Sequence, residues 1–352
     1  MRMVRIDNIG KGCRLARPVV NGDQTLMLSK GVVLNSYYLR RLKNIGYTYL
    51  YIEDESVDES KTKDIVSRKT RTQALKCLRE IAESIKHGET FEVDSTKFAV
   101  SNILNEVIRN KDMVLHLANI DSHDEYTFNH SVNVTVISII IGVALNYDLN
   151  KLFELGVSIF LHDIGKVLVP LNILNKPLKL ADEEWGIISK HTWHGFYVLS
   201  NSPEVSFDAA NTALQHHERY DGSGYQQGLR GEGISEFARI CAIADVYDAL
   251  SSKRPYRDRL PVHKVWEYLL KNKSKHFDPY ILERFIKNIK IYPEGSIVTL
   301  NNGSAGYVIK QNPMNPIRPV VKVHWHNDIE LPVPMVVNLI EEPSLLIVEV
   351  AI

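Results

Sequence analysis

The stretch 134–145 constrains the fold more than any other, being apolar almost all the way round and interrupted only by small residues such as Ser138 and Gly142. A helix that is apolar on every side has to be surrounded, by protein or by lipid. This run is shorter than the roughly 20 residues a bilayer span needs. It therefore predicts a buried helix at the centre of a helical bundle. Helical periodicity continues through most of 95–291, with a second apolar helix expected over 238–250 and a glycine-rich loop over 221–233.

The flanks read differently. Residues 1–54 suggest a small α+β unit: strands at 25–28 and 32–34 around the turn Lys30-Gly31, a helix over 36–44 closed by Gly46, and a strand over 47–52. The polar run 53–60 reads as a linker, and 61–121 as linker and dimerising helices. Within 64–86 the apolar stripe Ile65, Ala74, Leu75, Leu78, Ile81, Ala82 and Ile85 suits either packing on the next domain or pairing with a second copy. A helical domain over 122–290 follows. After Pro293 the pattern changes to short alternating segments at 296–300, 305–310, 320–324 and 345–350, with turns at Asn301-Asn302-Gly303 and in the proline-rich stretch between. This predicts a small β-rich module over 292–352.

Charge excludes some partners. Lysine plus arginine number 42 and aspartate plus glutamate 42, so nothing in the balance points to duplex nucleic acid or an anionic membrane. Cys13, Cys77 and Cys241 are scattered and form no CxxC pair, and no signal-peptide core precedes Asn8, so a reducing cytoplasmic setting is expected.

Six of the thirteen histidines fall between residues 130 and 217. His162-Asp163, in FLHDIGK, follows an apolar run, so one imidazole nitrogen and one carboxylate can face a single cavity. The plainer alternative is a polar pair at a helix end with Gly165 as its cap, but Lys166 and the neighbouring histidines favour the cavity. His216-His217-Glu218 stands at the mouth of the glycine-rich loop. His191 lies in SKHTWHG, with His194 the less expected ligand, and His130 opens the buried helix. Asp245 sits inside an apolar helix, where an unpartnered carboxylate is costly and a cation is one partner. Mixed imidazole and carboxylate donors suit Fe, Mn or Zn better than Mg. Paired cations also answer the chemical problem of phosphodiesters, which repel anionic nucleophiles. His87, His116, His123, His263, His276, His324 and His326 lie outside these strings and read as surface or packing residues.

The strings HSVNV at 130–134, HDIGK at 162–166, Lys190-His191 with Gly195, HHERYDGSGY at 216–225 and IADVYDALSSKRPYR at 243–257 resemble, in this order, the HD superfamily of metal phosphohydrolases. More narrowly they resemble its HD-GYP branch, the cyclic di-GMP phosphodiesterases of bacterial signalling. The resemblance covers roughly 122–290. It implies a mainly α protein, an all-helical HD-type domain between the two small flanking modules. It also implies metal ligation by His130, His162, Asp163, His191, His216, His217 and Asp245, with Asp163 as a catalytic, bridging carboxylate. Lys166 would contact the scissile phosphate, Arg254 and Arg257 would grip substrate phosphates, and Tyr225 would stack on a guanine.

Two departures bear on this. Gln226 stands where the family has proline, which should leave the loop looser and touches its role as a contact for a signalling partner. Members with three metals carry a glutamate one turn before the first histidine; here that position is Tyr126, and Glu125 is one residue off the face, so two divalent ions are expected, with a third only where the backbone there is not regular helix. The expected reaction is hydrolysis of cyclic di-GMP to pGpG, and onward to GMP if the pocket admits it, by a hydroxide bridging the metals in a homodimeric enzyme. The alternatives are a cyclic-dinucleotide sensor with little turnover, or a hydrolase of another nucleotide such as cyclic GMP-AMP or a (p)ppGpp-like compound.

Overall fold

The structure is a computed structural model. It describes residues 2–6, 9–10, 12–16, 18–20, 26–45, 47, 49–53, 65–110, 126–174, 176, 180–252, 260–288, 292, 294–312, 315–327 and 329–351. The chain divides into two compact units, one of residues 64–289 and one joining 1–63 to 290–352.

In the second of these, β1 (Arg2–Arg5) pairs antiparallel with β4 (Tyr49–Ile52), and β2 (Val19–Val20) with β3 (Leu26–Leu28). Helix α1 (Ser36–Asn44) is N-capped by Asn35, whose side chain accepts from the Tyr38 amide. Leu15, Leu34, Leu42, Leu50 and Ile52 form its core. The strand expected at 32–34 is only an isolated bridge, Val33 to Arg14. The cap expected of Gly46 and most of the linker at 53–60 lie outside the described residues. The C-terminal part is a five-stranded antiparallel sheet in the order β8-β7-β6-β5-β9, built from β5 (Ile297–Leu300), β6 (Ser304–Lys310), β7 (Val320–His326), β8 (Ile329–Asn338) and β9 (Ile347–Ala351). Strand β8 replaces the turns expected of the proline-rich stretch. Pro332 and Pro334 fit because β8 is an edge, where one row of backbone N–H groups needs no partner.

The helical unit is arranged around α4 (Tyr126–Ala144), which contains the apolar run; Val134, Val136, Ile137, Ile139 and Ile141 are wholly buried. Helix α2 (Arg68–Lys86) starts later than the stripe suggested, because Ser67 caps it by accepting from Thr70 N. Its apolar face packs with α3 (Val93–Arg109), α4 and α5 (Leu149–Phe160) in one core that includes Leu78, Ile81, Val100, Ile103, Val132 and Phe160. The stripe is thus covered within its own unit. There follow α6 (Leu171–Leu174), α7 (Asp182–Ser189), α8 (His191–Ser200), α9 (Phe207–Gln215), α10 (Glu236–Ser251), α11 (Val262–Lys271) and α12 (Pro279–Asn288). Among the described residues no helix is long and apolar enough to cross a membrane.

Candidate metal centre

Three helices of this unit end in the same way. The last carbonyls of a helix lack intrahelical donors. After α5, α7 and α9 a histidine three residues on turns its ring back to one of them. His162 Nδ1 donates to Ile159 O at 2.7 Å, His191 Nδ1 to Ile188 O at 2.7 Å, and His216 Nδ1 to Ala213 O at 2.9 Å. Each ring therefore caps its own helix, holds its proton on Nδ1 and presents an Nε2 lone pair.

All three lone pairs converge on the buried carboxylate of Asp163. Its Oδ1 faces His191 Nε2 at 3.4 Å and His216 Nε2 at 3.5 Å. Its Oδ2 faces His162 Nε2 at 3.5 Å and His130 Nε2 at 3.8 Å. His130, near the start of α4, also meets Asp245 Oδ1 of α10 at 3.0 Å, and His217 Nδ1 lies 4.0 Å from Asp245 Oδ2. The structure thus brings together all seven residues singled out by the motifs. They form two groups, Asp163 with His191, His216 and His217, and His130 with His162 and Asp245, each with donor atoms within 4.8 Å of one another. His194 belongs to neither.

The donor set fits cations. Lone pairs facing a carboxylate repel it unless positive charge lies among them. His162 Nε2 and Asp163 Oδ1 are buried with no hydrogen-bond partner, an expensive arrangement in the absence of an ion. Burial pushes the His162 ring down to about 4 and His191 to about 3, and pushes His217 well down, so these rings are neutral at neutral pH and can offer a lone pair. Burial raises Asp163 and Asp245, but positive neighbours outweigh it: Lys166 for Asp163 and His130 for Asp245 keep both ionised. His130 differs. Burial lowers it, yet Asp245 and Asp248 overcome that and lift it to about 9.

Around the cluster the sequence reading needs amendment. Gly165 is not a left-handed cap. A Cβ there would lie 2.0 Å from His191 O and 2.4 Å from Gly195 N, so glycine lets the 3-10 turn Ile164–Leu168 press its backbone against α8. This close approach sets Asp163 beside His191. Lys166 Nζ is hydrogen-bonded to Asp163 Oδ2. Asp245, expected to be buried, keeps a 15%-exposed side chain, and the fully enclosed carboxylate of α10 is Asp248. Tyr225 stacks on His217, with centroids 5.0 Å apart at 25°, and meets the edge of Trp185 at 5.6 Å.

The loop at 224–229 is held rather than loose. Gln226 Nε2 donates to Ser189 O at 2.5 Å and Thr192 Oγ1 at 3.0 Å, bonds that proline has no donor to make. Glu218, 3% exposed, accepts from the backbone N–H groups of Gln227, Gly228 and Leu229 at 2.6, 3.2 and 3.1 Å. Gly224 lies so close to Glu218 that a Cβ would come within 2.5 Å of its Cα. Arg254, Arg257 and Glu125 lie outside the described residues.

Sequence reasoning passed over Asp248, Glu218 and Trp185. Asp248 could have been found by the argument used for Asp245, since it is a second carboxylate one turn along the same apolar helix. Glu218 carried a signal too, an acid directly before a glycine-rich loop with backbone donors to satisfy. Trp185 carried none.

Residues 116–281 match the family model of the HD domain, and 297–352 that of a KOW domain associated with the HD domain. Residues 116–281 thus carry an HD domain, and that domain with this His/Asp cluster implies divalent metal ions. Among known proteins, the cyclic di-GMP phosphodiesterase PA4108 of Pseudomonas aeruginosa is 35% identical over 274 residues, covering 75% of this chain and 65% of that protein. The cyclic di-GMP phosphodiesterase response regulator RpfG of Xanthomonas campestris is 32% identical over 221 residues, 62% of this chain and 58% of that one. The 3'3'-cGAMP-specific phosphodiesterase 2 of Vibrio cholerae is 43% identical over 129 residues, 36% of this chain and 25% of that one. The chain therefore spans less than two thirds of the length of each of these relatives.

Proposed function

We propose that the chain is a metal-dependent phosphodiesterase that hydrolyses cyclic di-GMP to pGpG, with GMP as a further product if the linear dinucleotide re-enters. The observation that carries this is the convergence of five imidazoles and two carboxylates on one centre, with lone pairs facing the oxygens of Asp163 from two sides. Names borne by relatives aligned over most of the chain give the substrate class.

In this reading His191, His216 and His217 would hold one divalent ion and His130, His162 and Asp245 a second, with Asp163 available to both; Fe or Mn is the expected metal, with Zn a third choice. When bound, the ions supply a nucleophile at neutral pH and neutralise phosphate charge. The residues of the chain do the rest. Lys166, held on Asp163 and 21% exposed, is the cation placed to meet the scissile phosphate. Arg254 and Arg257, outside the described residues, are assigned to the phosphates, whose geometry suits a guanidinium. Tyr225 and Trp185 form an aromatic wall beside His217, the most exposed ring of the cluster at 26%, where a guanine can stack. A signalling partner contacting the Gly224-Tyr225-Gln226 loop would meet a surface fixed by Glu218, and a homodimer in the cytoplasm is the expected setting.

Cyclic GMP-AMP is the second reading, favoured by the higher identity of the shorter alignment to the Vibrio cholerae enzyme. Anaerobically prepared protein loaded with Mn or Fe(II) and offered each dinucleotide in competition tests both. The proposal expects pGpG as first product and faster turnover of cyclic di-GMP. Tight binding without product would mean a sensor, and preferential cleavage of cyclic GMP-AMP would reassign the substrate.

A further inference from the structure

A buried chain of polar groups leads from the cluster to helix α2. His130 Nδ1 donates to Asp248 Oδ2 at 2.6 Å. Asp248 Oδ1 accepts from Asn133 Nδ2 at 2.9 Å and from Ser252 Oγ at 2.9 Å. Asn133 Oδ1 in turn accepts from Arg71 Nη1 at 2.7 Å. His130, Asn133, Asp248 and Arg71 are each 5% exposed or less. Arg71 belongs to α2, which precedes the residues that match the HD domain at 116–281.

A buried guanidinium is costly unless its surroundings use its charge. Here Asn133 stands between Arg71 and the carboxylate of Asp248, with its oxygen toward the cation and its amide toward the anion. That polarity is cooperative: it keeps Asp248 an acceptor and so keeps the His130 proton on Nδ1 and the ring plane fixed. The other three helix-capping histidines obtain this from a neighbouring backbone carbonyl. His130, inside a helix, directs its Nδ1 to the side-chain carboxylate of Asp248 instead. The origin of the relay is itself clamped. Glu106 of α3 accepts from Ser67 N at 2.5 Å, Ser67 Oγ at 2.9 Å and Thr70 Oγ1 at 2.7 Å, anchoring the first turn of α2.

We infer that Arg71 is a positioning residue of the metal centre, acting through Asn133 and Asp248 to orient His130. The part of this that concerns metal rests on the proposed function; the part that concerns the ring does not. The test uses the full-length chain labelled with ¹⁵N-histidine, the His130 ring signals being assigned by their absence in His130→Gln. In metal-free wild-type protein the Nδ1–H of His130 should give a sharp, strongly downfield proton. Arg71→Met should broaden or lose it, Arg71→Lys should partly restore it, and Asn133→Ala, which leaves Arg71 in place, should lose it as well, so that a folding failure of one variant leaves another to decide. Mn(II) affinity should fall about 10–100-fold in Arg71→Met, the range of changes in outer partners of metal ligands. A purely structural role would lower Tm while leaving the His130 signal and Mn(II) affinity as in the wild type, and that result would overturn the inference. If wild-type protein takes up no Mn(II) but the His130 signal still depends on Arg71, the relay stands and the metal reading falls.

Discussion

The two sides of the cluster are built on opposite terms. On the inner side His130, His162, His191 and Asp163 are almost wholly enclosed, and each imidazole has its second nitrogen committed to a carbonyl or to Asp248. On the outer side His217 and Asp245 remain 26% and 15% exposed, and the neighbours are aromatic rings and a glycine-rich loop. The difference separates two tasks. Enclosed, pre-oriented donors hold cations without rearrangement, whereas a partly open wall of π surfaces admits and orients a base. Loss of an inner-side donor should abolish metal, whereas loss of the aromatic wall beside His217 should spare metal and weaken substrate binding.

The largest expected effect is at the residue common to both groups. Asp163→Asn should reduce metal content to near background and turnover by more than about 100-fold, beyond the range seen for outer partners; elemental analysis alongside product assay checks this. A variant that kept both ions would break the inner-side account. Next comes the outer wall. Trp185→Ala should leave metal content and kcat unchanged and raise KM for cyclic di-GMP about 10-fold, within the worth of stacking one base on an aromatic ring. Equal losses in kcat would place Trp185 with the inner side instead.

Acid and base should tell the inner histidines apart in metal-free protein. His162 and His191 are held near 4 and 3 against about 6.5 in an unfolded chain. As pH falls below 6.5 the unfolded state takes up their protons first, so stability is lost toward pH 4, at up to about 1.4 kcal/mol per pH unit for each ring. His130 is raised to about 9, so its contribution is complete below 6.5 and is lost as pH rises to 9. Denaturant midpoints should therefore peak near pH 6.5, and a curve that kept rising to pH 9 would remove the special status of His130. The smallest effect is expected at the loop: Gln226→Pro deletes two hydrogen bonds and should cost about 1–3 kcal/mol of stability, read as a lower denaturant midpoint, with metal content unchanged.

What the sequence revealed follows the same division. The residues of the cluster sit in short strings whose neighbours fix their geometry, as with the three histidines that cap their own helices, and such strings are legible one residue at a time. The central helix was legible because 134–145 has no polar face to expose. The supports of the inner side were not, since Arg71 and Asn133 meet across 62 positions and each looks ordinary in its own helix. Gln226 read as a loss of rigidity because its backbone was weighed without its side-chain amide, which finds Ser189 and Thr192 only in the folded chain. Strand β8 was hidden by Pro332 and Pro334, tolerable only at a sheet edge, and sequence alone does not say which strand is the edge.

In the proposed site Asp163 lies between two cations. Anomalous diffraction from crystals of Mn-loaded protein would locate them. Two peaks are expected, one among Asp163, His191, His216 and His217 and one among Asp163, His130, His162 and Asp245. A protein that bound Mn(II) elsewhere, or showed no peak beside Asp163, would contradict this expectation.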